Sequence, residues 1–147
     1  MSVAAPTDYA QQTEEKWRWD YGLILTDSPS KTGYFGLGIG EINDGSKATA
    51  IGYPHDIASG EVIQVESGPV ELFNGIIALK HGDPNFSQGS SGGARIKDID
   101  STLSRDTNVL FSVNSFGRND QPGISYGPVL SDQFKNMFDY VTGGCKD

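Results

Sequence analysis

Short apolar runs separated by turn residues constrain the fold of this chain more than any other feature of its sequence. Nineteen glycines are spread over 147 residues, and residues 61–66 alternate polar with apolar side chains, as in a strand with one wet face. This pattern predicts an all-β protein built from many short strands. The predicted strands are 22–25, 48–53, 61–66, 68–73, 76–79, 93–97 and 109–113.

The two ends of the chain depart from this pattern. Residues 131–141 carry apolar side chains at the spacing of one helical face, namely Phe134, Met137, Phe138 and Val141. We therefore expect a C-terminal helix that Ser131 caps and Gly143 ends. Residues 1–16 are expected to form a flexible N-terminal arm, and the polar stretch 7–16 would serve either as such an arm or as a strap over a partner surface.

Charge and cysteine content exclude several classes of function. The chain has 11 Lys and Arg against 19 Asp and Glu, a net charge of -8, which disfavours nucleic acids and anionic membranes as partners. Cys145 is the only cysteine, so no intrachain disulfide and no metal cluster is expected, and no cofactor is indicated. Neither a secretory signal nor a bilayer-spanning run is visible in the sequence.

Residues 88–94, Gln-Gly-Ser-Ser-Gly-Gly-Ala, suit a nucleophile loop. Glycines on both sides of Ser91 permit a tight turn that holds its hydroxyl exposed. In such a turn the backbone amides of Gly89 and Ser91 would converge on one point and form an oxyanion hole. Apolar segments on both sides favour a loop between two strands over a flexible linker.

Four further motifs accompany the serine loop along the chain. They are Trp-Asp-Tyr-Gly-Leu-Ile-Leu at 19–25, Ala-Ile-Gly-Tyr-Pro at 50–54, Ser-Phe-Gly at 115–117 and Gly-Ile-Ser-Tyr at 123–126. With the loop, they resemble the chymotrypsin-like serine peptidases, and within them the glutamyl-endopeptidase-like branch. The corresponding family motifs are Gly-Asp-Ser-Gly-Gly-Pro for the loop, Asp-Tyr-Ala-Leu-Ile, Gly-Tyr-Pro, Ser-Trp-Gly and Gly-Val-Tyr. The likeness extends from about Trp17 to Val141.

The resemblance implies a chymotrypsin-like Greek-key β-barrel with a C-terminal α-helix. Residues 17–147 would form the peptidase C-terminal barrel domain, with the second barrel complete and only a remnant of the first. The implied activity is that of a serine endopeptidase acting on polypeptides, with Ser91 as nucleophile, Asp20 as acid, and the Gly89 and Ser91 amides as oxyanion hole. A secreted or extracellular location is also implied.

A catalytic histidine is missing where the resemblance requires one. In the family it precedes the acid by several tens of residues, whereas His55 and His81 both follow Asp20. Three explanations stay open: an N-terminal fragment or subunit supplies the histidine, the gene product is truncated, or the chain is an inactive peptide-binding relative. If the first barrel is missing, the face around Trp17, Trp19 and Tyr21 should be an exposed apolar patch.

The resemblance also implies a substrate pocket beside Ser91. Its floor would lie near Asn85 and Gln88, with His81 as a further contributor. Its walls would include Asn114, Ser115, Phe116 and Gly117. Asn85 stands where basic-selective relatives have a carboxylate, and Asn114 where the glutamyl-specific branch has a histidine. The sequence therefore predicts a neutral pocket.

Overall fold

A computed structural model describes residues 1–11, 14–100 and 107–145 of the chain. Its strands are β1 (Ser2–Ala4), β2 (Leu23–Leu25), β3 (Gly36–Leu37), β4 (Lys47–Gly52), β5 (Gln64–Phe73), β6 (Ile76–Lys80), β7 (Ala94–Lys97), β8 (Val109–Val113), β9 (Phe116–Gly117) and β10 (Ile124–Pro128). Its helices are α1 (Thr7–Ala10) and α2 (Asp132–Thr142), with 3₁₀ turns at Glu14–Trp19 and Ala58–Gly60. The predicted all-β class is confirmed.

Eight strands form one sheet in the order β3-β8-β7-β4-β5-β6-β10-β9. All of its pairings are antiparallel except that of β3 with β8. Within the described residues no pairing joins β3 to β9, so the sheet is open at both of these edges. Short strands and tight turns follow from the glycine-rich sequence.

Strand β5 differs from the prediction of two separate strands. It runs without a break from Gln64 to Phe73, whereas Glu61, Val62 and Ile63 lie in the turn before it. Gly68 allows the strand to continue because it has no Cβ. In any other residue that atom would lie 2.0 Å from the carbonyl oxygen of Lys80. The glycine is therefore a point of close backbone approach inside a strand and not a strand boundary.

Helix α2 confirms the predicted C-terminal helix, and Phe134 and Val141 are buried on its inner face. Ser131 is the N-cap residue, as expected, but its hydroxyl donates to the side-chain oxygen of Gln133 and makes no capping hydrogen bond to the helix backbone. The helix ends where predicted, at Gly143, whose N–H donates to the carbonyl of Asp139 at 2.8 Å.

The expected exposed patch around Trp17, Trp19 and Tyr21 is not observed. Tyr21 is only 9% exposed and packs edge-on against Phe134. Trp19 joins the same cluster, and the Trp17 ring lies 4.7 Å from that of Phe116. The chain itself covers these aromatic side chains with α2 and β9.

The first sixteen residues include regular structure in their described part. Strand β1 pairs antiparallel with β2, and the N-terminal ammonium lies 2.7 Å from an Asp27 carboxylate oxygen. Among the described residues, no helix combines the length and the apolar character that crossing a membrane would need.

Candidate active site

The loop at 88–93 is held against the turn that follows β4. The N–H of His55 donates to the Gln88 carbonyl at 2.7 Å. Gly89 has a φ of +89°, and a Cβ there would lie 2.7 Å from the carbonyl oxygen of Tyr53. A Cβ on Gly93 would lie 2.0 Å from the carbonyl oxygen of Ile51. Two of the glycines in the motif are therefore required by close backbone contacts.

Within this loop Ser90 faces inward and Ser91 faces outward. The buried Ser90 hydroxyl donates to the Ser87 carbonyl at 2.7 Å, which closes the turn. Ser91 is exposed, and its hydroxyl donates to the Ser115 carbonyl at 3.1 Å. Gly89 and Ser91 are exposed residues, and their backbone N–H groups donate no hydrogen bond within the described part of the chain.

Ser115 connects Ser91 to Asp20. Its carbonyl accepts from the Ser91 hydroxyl, and its own hydroxyl donates to an Asp20 carboxylate oxygen at 2.5 Å. Its N–H donates to the Tyr126 carbonyl at 2.9 Å, which fixes the residue on the sheet. The structure thus brings Asp20 and Ser91, 71 positions apart in sequence (91 minus 20), to either side of one residue.

Both Asp20 and Ser91 line a cavity on the α2 side of the loop. Its remaining lining is mainly apolar and includes Leu23, Leu110 and Phe134. Among the described residues that line it there is no histidine, so no imidazole bridges the carboxylate and the hydroxyl.

The chain's two histidines lie elsewhere. His55 has a ring that is 75% exposed, and its Nδ1 lies 3.4 Å from an Asp56 carboxylate oxygen. The half-buried His81 accepts from the Asp83 N–H at Nδ1 and contacts Phe86 edge-on. Its Nε2 is buried with no hydrogen-bond partner in the described part of the chain. Burial and, secondarily, the charge of Arg95 lower the pKa of His81, so it is neutral near pH 7.

A second cavity lies on the other side of Ser91. Of the predicted pocket residues, Gln88, Asn114, Ser115, Phe116 and Gly117 line it, whereas Asn85 and His81 do not. Phe86, Ser87, Ser125 and Arg118 complete much of the wall. No carboxylate belongs to its described lining, so a basic side chain would find no counter-ion there.

Arg95, which the sequence analysis did not select, lies directly behind this wall. Its side chain is fully buried, at 0% exposed. It donates to the Asn114 side-chain oxygen, the Ile77 carbonyl and the Ser125 hydroxyl at 2.9–3.0 Å. Burial lowers the pKa of Arg95 to about 9, which leaves it positively charged at neutral pH. The signal that could have found it is an arginine between Ala94 and Ile96, in the interior of a predicted strand.

Comparison with known proteins gives a clear result for structure. No family model matches the sequence, and no curated protein matches it. Among solved structures, the protease Anisep from Arthrobacter nicotinovorans superimposes with a TM-score of 0.74 and 20% identity over 99% of this chain. A Glu endopeptidase in complex with MPD superimposes with a TM-score of 0.72 and 20% sequence identity over 97% of this chain. This chain has the chymotrypsin-like serine protease fold.

The shared structure covers only part of those proteins. The chain spans 66% of Anisep and 63% of the Glu endopeptidase. It spans 49% of the thermostable serine protease AL20 from an extremophilic microorganism, with a TM-score of 0.60 and 18% identity over 75% of this chain. The match therefore extends over nearly the whole chain but over only half to two thirds of each protease.

Proposed function

We propose that this chain is the nucleophile-bearing part of a serine endopeptidase whose histidine base comes from polypeptide outside the chain. The observation that carries the proposal is that Ser91 and Asp20 contact the same residue, Ser115, and line the same cavity. An imidazole in that cavity would bridge the two groups in the manner of a serine peptidase triad. The chymotrypsin-like fold supports the same reaction class.

In the proposed reaction, the Ser91 oxygen attacks the carbonyl carbon of a peptide while its proton passes to the imidazole. The free amides of Gly89 and Ser91 would donate to the oxygen on which negative charge develops. Asp20 would hold the imidazole in position, and the imidazolium would return its proton to the leaving amine. Water then hydrolyses the ester on Ser91 and regenerates the hydroxyl.

Chemical rescue by imidazole tests this proposal on the chain as it stands. A fluorophosphonate probe should label Ser91 slowly by itself, because the hydroxyl has no base to accept its proton. Added imidazole should enter the cavity beside Asp20 and accelerate labelling by roughly tenfold or more. Intact mass and peptide mapping would report the extent and the position of labelling.

Two variants control the rescue. Ser91→Ala should abolish labelling at this site, and Asp20→Asn should remove most of the acceleration by imidazole without preventing slow labelling. Labelling that imidazole does not accelerate, or that survives in Ser91→Ala, would contradict the proposal.

The second candidate function is a non-catalytic peptide-binding module. It is favoured by the absence of an imidazole at Ser91 in the described residues and by the position of β9, a strand at the edge of the sheet that lines the cavity. An extended peptide could pair with this edge by strand addition. Peptide binding without labelling of Ser91, with and without imidazole, would support this function.

A further inference from the structure

The carbonyl of Ser90 is held on the inner side of the serine loop. It accepts from the Gly93 N–H at 3.0 Å and from the side-chain nitrogen of Asn114 at 3.2 Å. In a planar trans peptide, the carbonyl and the N–H of the next residue point in opposite directions. That next N–H belongs to Ser91, so a Ser90 carbonyl held inward directs the Ser91 N–H outward. The orientation of this N–H therefore depends in part on one side chain.

Asn114 can hold this carbonyl in only one of its two amide orientations. Its nitrogen donates to the carbonyls of Ile51 and Ser90, at 3.1 and 3.2 Å. Its oxygen accepts from Nε of Arg95 at 2.9 Å. Because a guanidinium has donors and no acceptor, a rotated amide would place N–H groups against N–H groups and oxygen against carbonyl oxygens. Arg95 thus excludes the orientation in which Asn114 would release Ser90.

Arg95 is itself held in place from several strands. It lies on β7, its side chain is fully buried, and its other two hydrogen bonds reach the Ile77 carbonyl on β6 and the Ser125 hydroxyl on β10, at 3.0 and 2.9 Å. Burying a charge against neutral acceptors is costly. An apolar side chain could fill the same space, but it would lack the donor that orients Asn114.

The other oxyanion donor of the proposed reaction, the Gly89 N–H, is held differently. Its peptide carbonyl belongs to Gln88 and accepts from the backbone N–H of His55 at 2.7 Å. Main chain therefore holds this peptide, whereas a side chain contributes to holding the peptide of Ser91. A side-chain substitution can loosen one donor and leave the other in place.

We infer that Arg95 is a positioning residue for the reaction proposed at Ser91. Acting through Asn114, it fixes the Ser90–Ser91 peptide so that the Ser91 N–H stays directed at the oxygen on which negative charge develops. This role rests on the proposed function, because it concerns the oxyanion site of that reaction. Arg95 touches no reacting atom and acts only by holding the loop.

Amide hydrogen exchange, followed by NMR, tests this role without any chemical reaction. The Gly93 N–H is the reporter because it donates to the Ser90 carbonyl, and the N–H of the buried Val70 is the reference in the core. Removing the guanidinium in Arg95→Met should accelerate exchange at Gly93 roughly tenfold or more relative to Val70.

Two further variants complete the test. Asn114→Asp keeps the shape of the side chain and the acceptor that faces Arg95, but it loses both donors to the backbone carbonyls, so Gly93 should exchange faster as well. If Arg95→Met does not fold, this variant decides. Ser112→Ala is the matched control, because it removes a buried hydroxyl that donates to main-chain carbonyls outside the serine loop. It should leave the exchange ratio unchanged.

Imidazole-dependent labelling of Ser91 measures the consequence for the reaction. In Arg95→Met and Asn114→Asp, the maximal labelling rate at saturating imidazole should fall roughly tenfold or more, because an oxyanion donor is displaced. The imidazole concentration that gives half the maximal rate should stay unchanged, because Asp20 holds the base. Ser112→Ala should keep both values.

The outcomes separate this role from the proposed function. Unchanged protection of Gly93 in the folded Arg95 or Asn114 variants would overturn the role, and so would an equal loss of protection in Ser112→Ala. A maximal labelling rate that these variants leave unchanged, or a change confined to the half-maximal imidazole concentration, would also overturn it. If labelling of the unmodified chain does not depend on imidazole, the proposed function fails, and exchange at Gly93 still decides whether Arg95 fixes the loop.

Discussion

Ser115 uses each of its polar groups for a different contact. Its hydroxyl holds Asp20, its carbonyl receives the Ser91 hydroxyl, and its N–H holds β10 through Tyr126. A serine fits this role because it provides a short hydroxyl that reaches the carboxylate while its main chain remains free for the other two contacts. The geometry of the candidate site therefore depends on one small side chain.

Removal of the Ser115 hydroxyl should weaken the fold as well as the site. We expect Ser115→Ala to lower the free energy of unfolding by about 1.5–3 kcal/mol, because a half-buried carboxylate loses its hydrogen-bond donor. Urea unfolding would measure the loss. Ser30→Ala, which removes an exposed hydroxyl whose hydrogen bonds go only to Thr32, serves as the matched control and should change stability by less than about 0.5 kcal/mol. Equal losses in the two variants would contradict the role given to Ser115.

At the level of elements, the serine loop is positioned by β4 and the turn after it. The loop carbonyl of Gln88 receives the His55 N–H, and the main chain at Ile51 and Tyr53 lies against Gly93 and Gly89. Asn114, which directly follows β8, adds a second contact, since the Gly92 N–H donates to the Asn114 carbonyl at 2.8 Å. The loop is thus fixed from two sides by backbone.

The neighbouring glycines Gly92 and Gly93 should respond differently to substitution. Gly93→Ala places a Cβ 2.0 Å from the Ile51 carbonyl oxygen, so the loop or β4 must move, and we expect a loss of about 3 kcal/mol. In Gly92→Ala the added Cβ would have no atom within 4 Å, so only the backbone φ of +79° is unfavourable. We expect this to lower the free energy of unfolding by about 1–2 kcal/mol. Thermal or urea unfolding of the two variants would rank them. The opposite order would show that the loop is not packed as described.

For the molecule as a whole, the half-buried side chain of His81 makes stability depend on pH. Arg95 and His81 lie close enough for the charge of one to lower the pKa of the other. Because His81 in the folded state has a lowered pKa, the unfolded chain binds a proton more readily below about pH 6.5. The contribution of His81 to stability is therefore full above that pH and is lost as the pH falls.

The stability of a His81→Asn variant should depend less on pH than that of the unmodified chain. Asparagine can accept from the Asp83 N–H as His81 Nδ1 does, but it takes up no proton. We expect its free energy of unfolding to fall less between about pH 7 and pH 5, as measured by urea unfolding at each pH. His55→Asn, at an exposed ring, should keep the original slope. A slope unchanged by His81→Asn would contradict the assigned burial of the ring.

Local pattern was sufficient for much of the fold and for part of the candidate site. The alternation of apolar and turn residues located the strands from β4 to β8, and the helical spacing of Phe134 and Val141 located α2. The glycines around Ser91 predicted a tight loop because only glycine fits such backbone approaches. Asn85 and His81 were expected at the pocket from the family resemblance, and neither belongs to the described lining of the cavity beside Ser91.

The sequence by itself determined the local structure: short strands, a serine in a glycine-rich turn, and a terminal amphipathic helix, because each depends on residues within a few positions of one another. Only the tertiary structure decided which distant residues meet. It placed Asp20 on Ser115, covered Trp17 and Tyr21, and buried Arg95 behind Asn114. Those contacts depend on how strands from the whole chain pair in one sheet, and short-range pattern carries no information about that pairing.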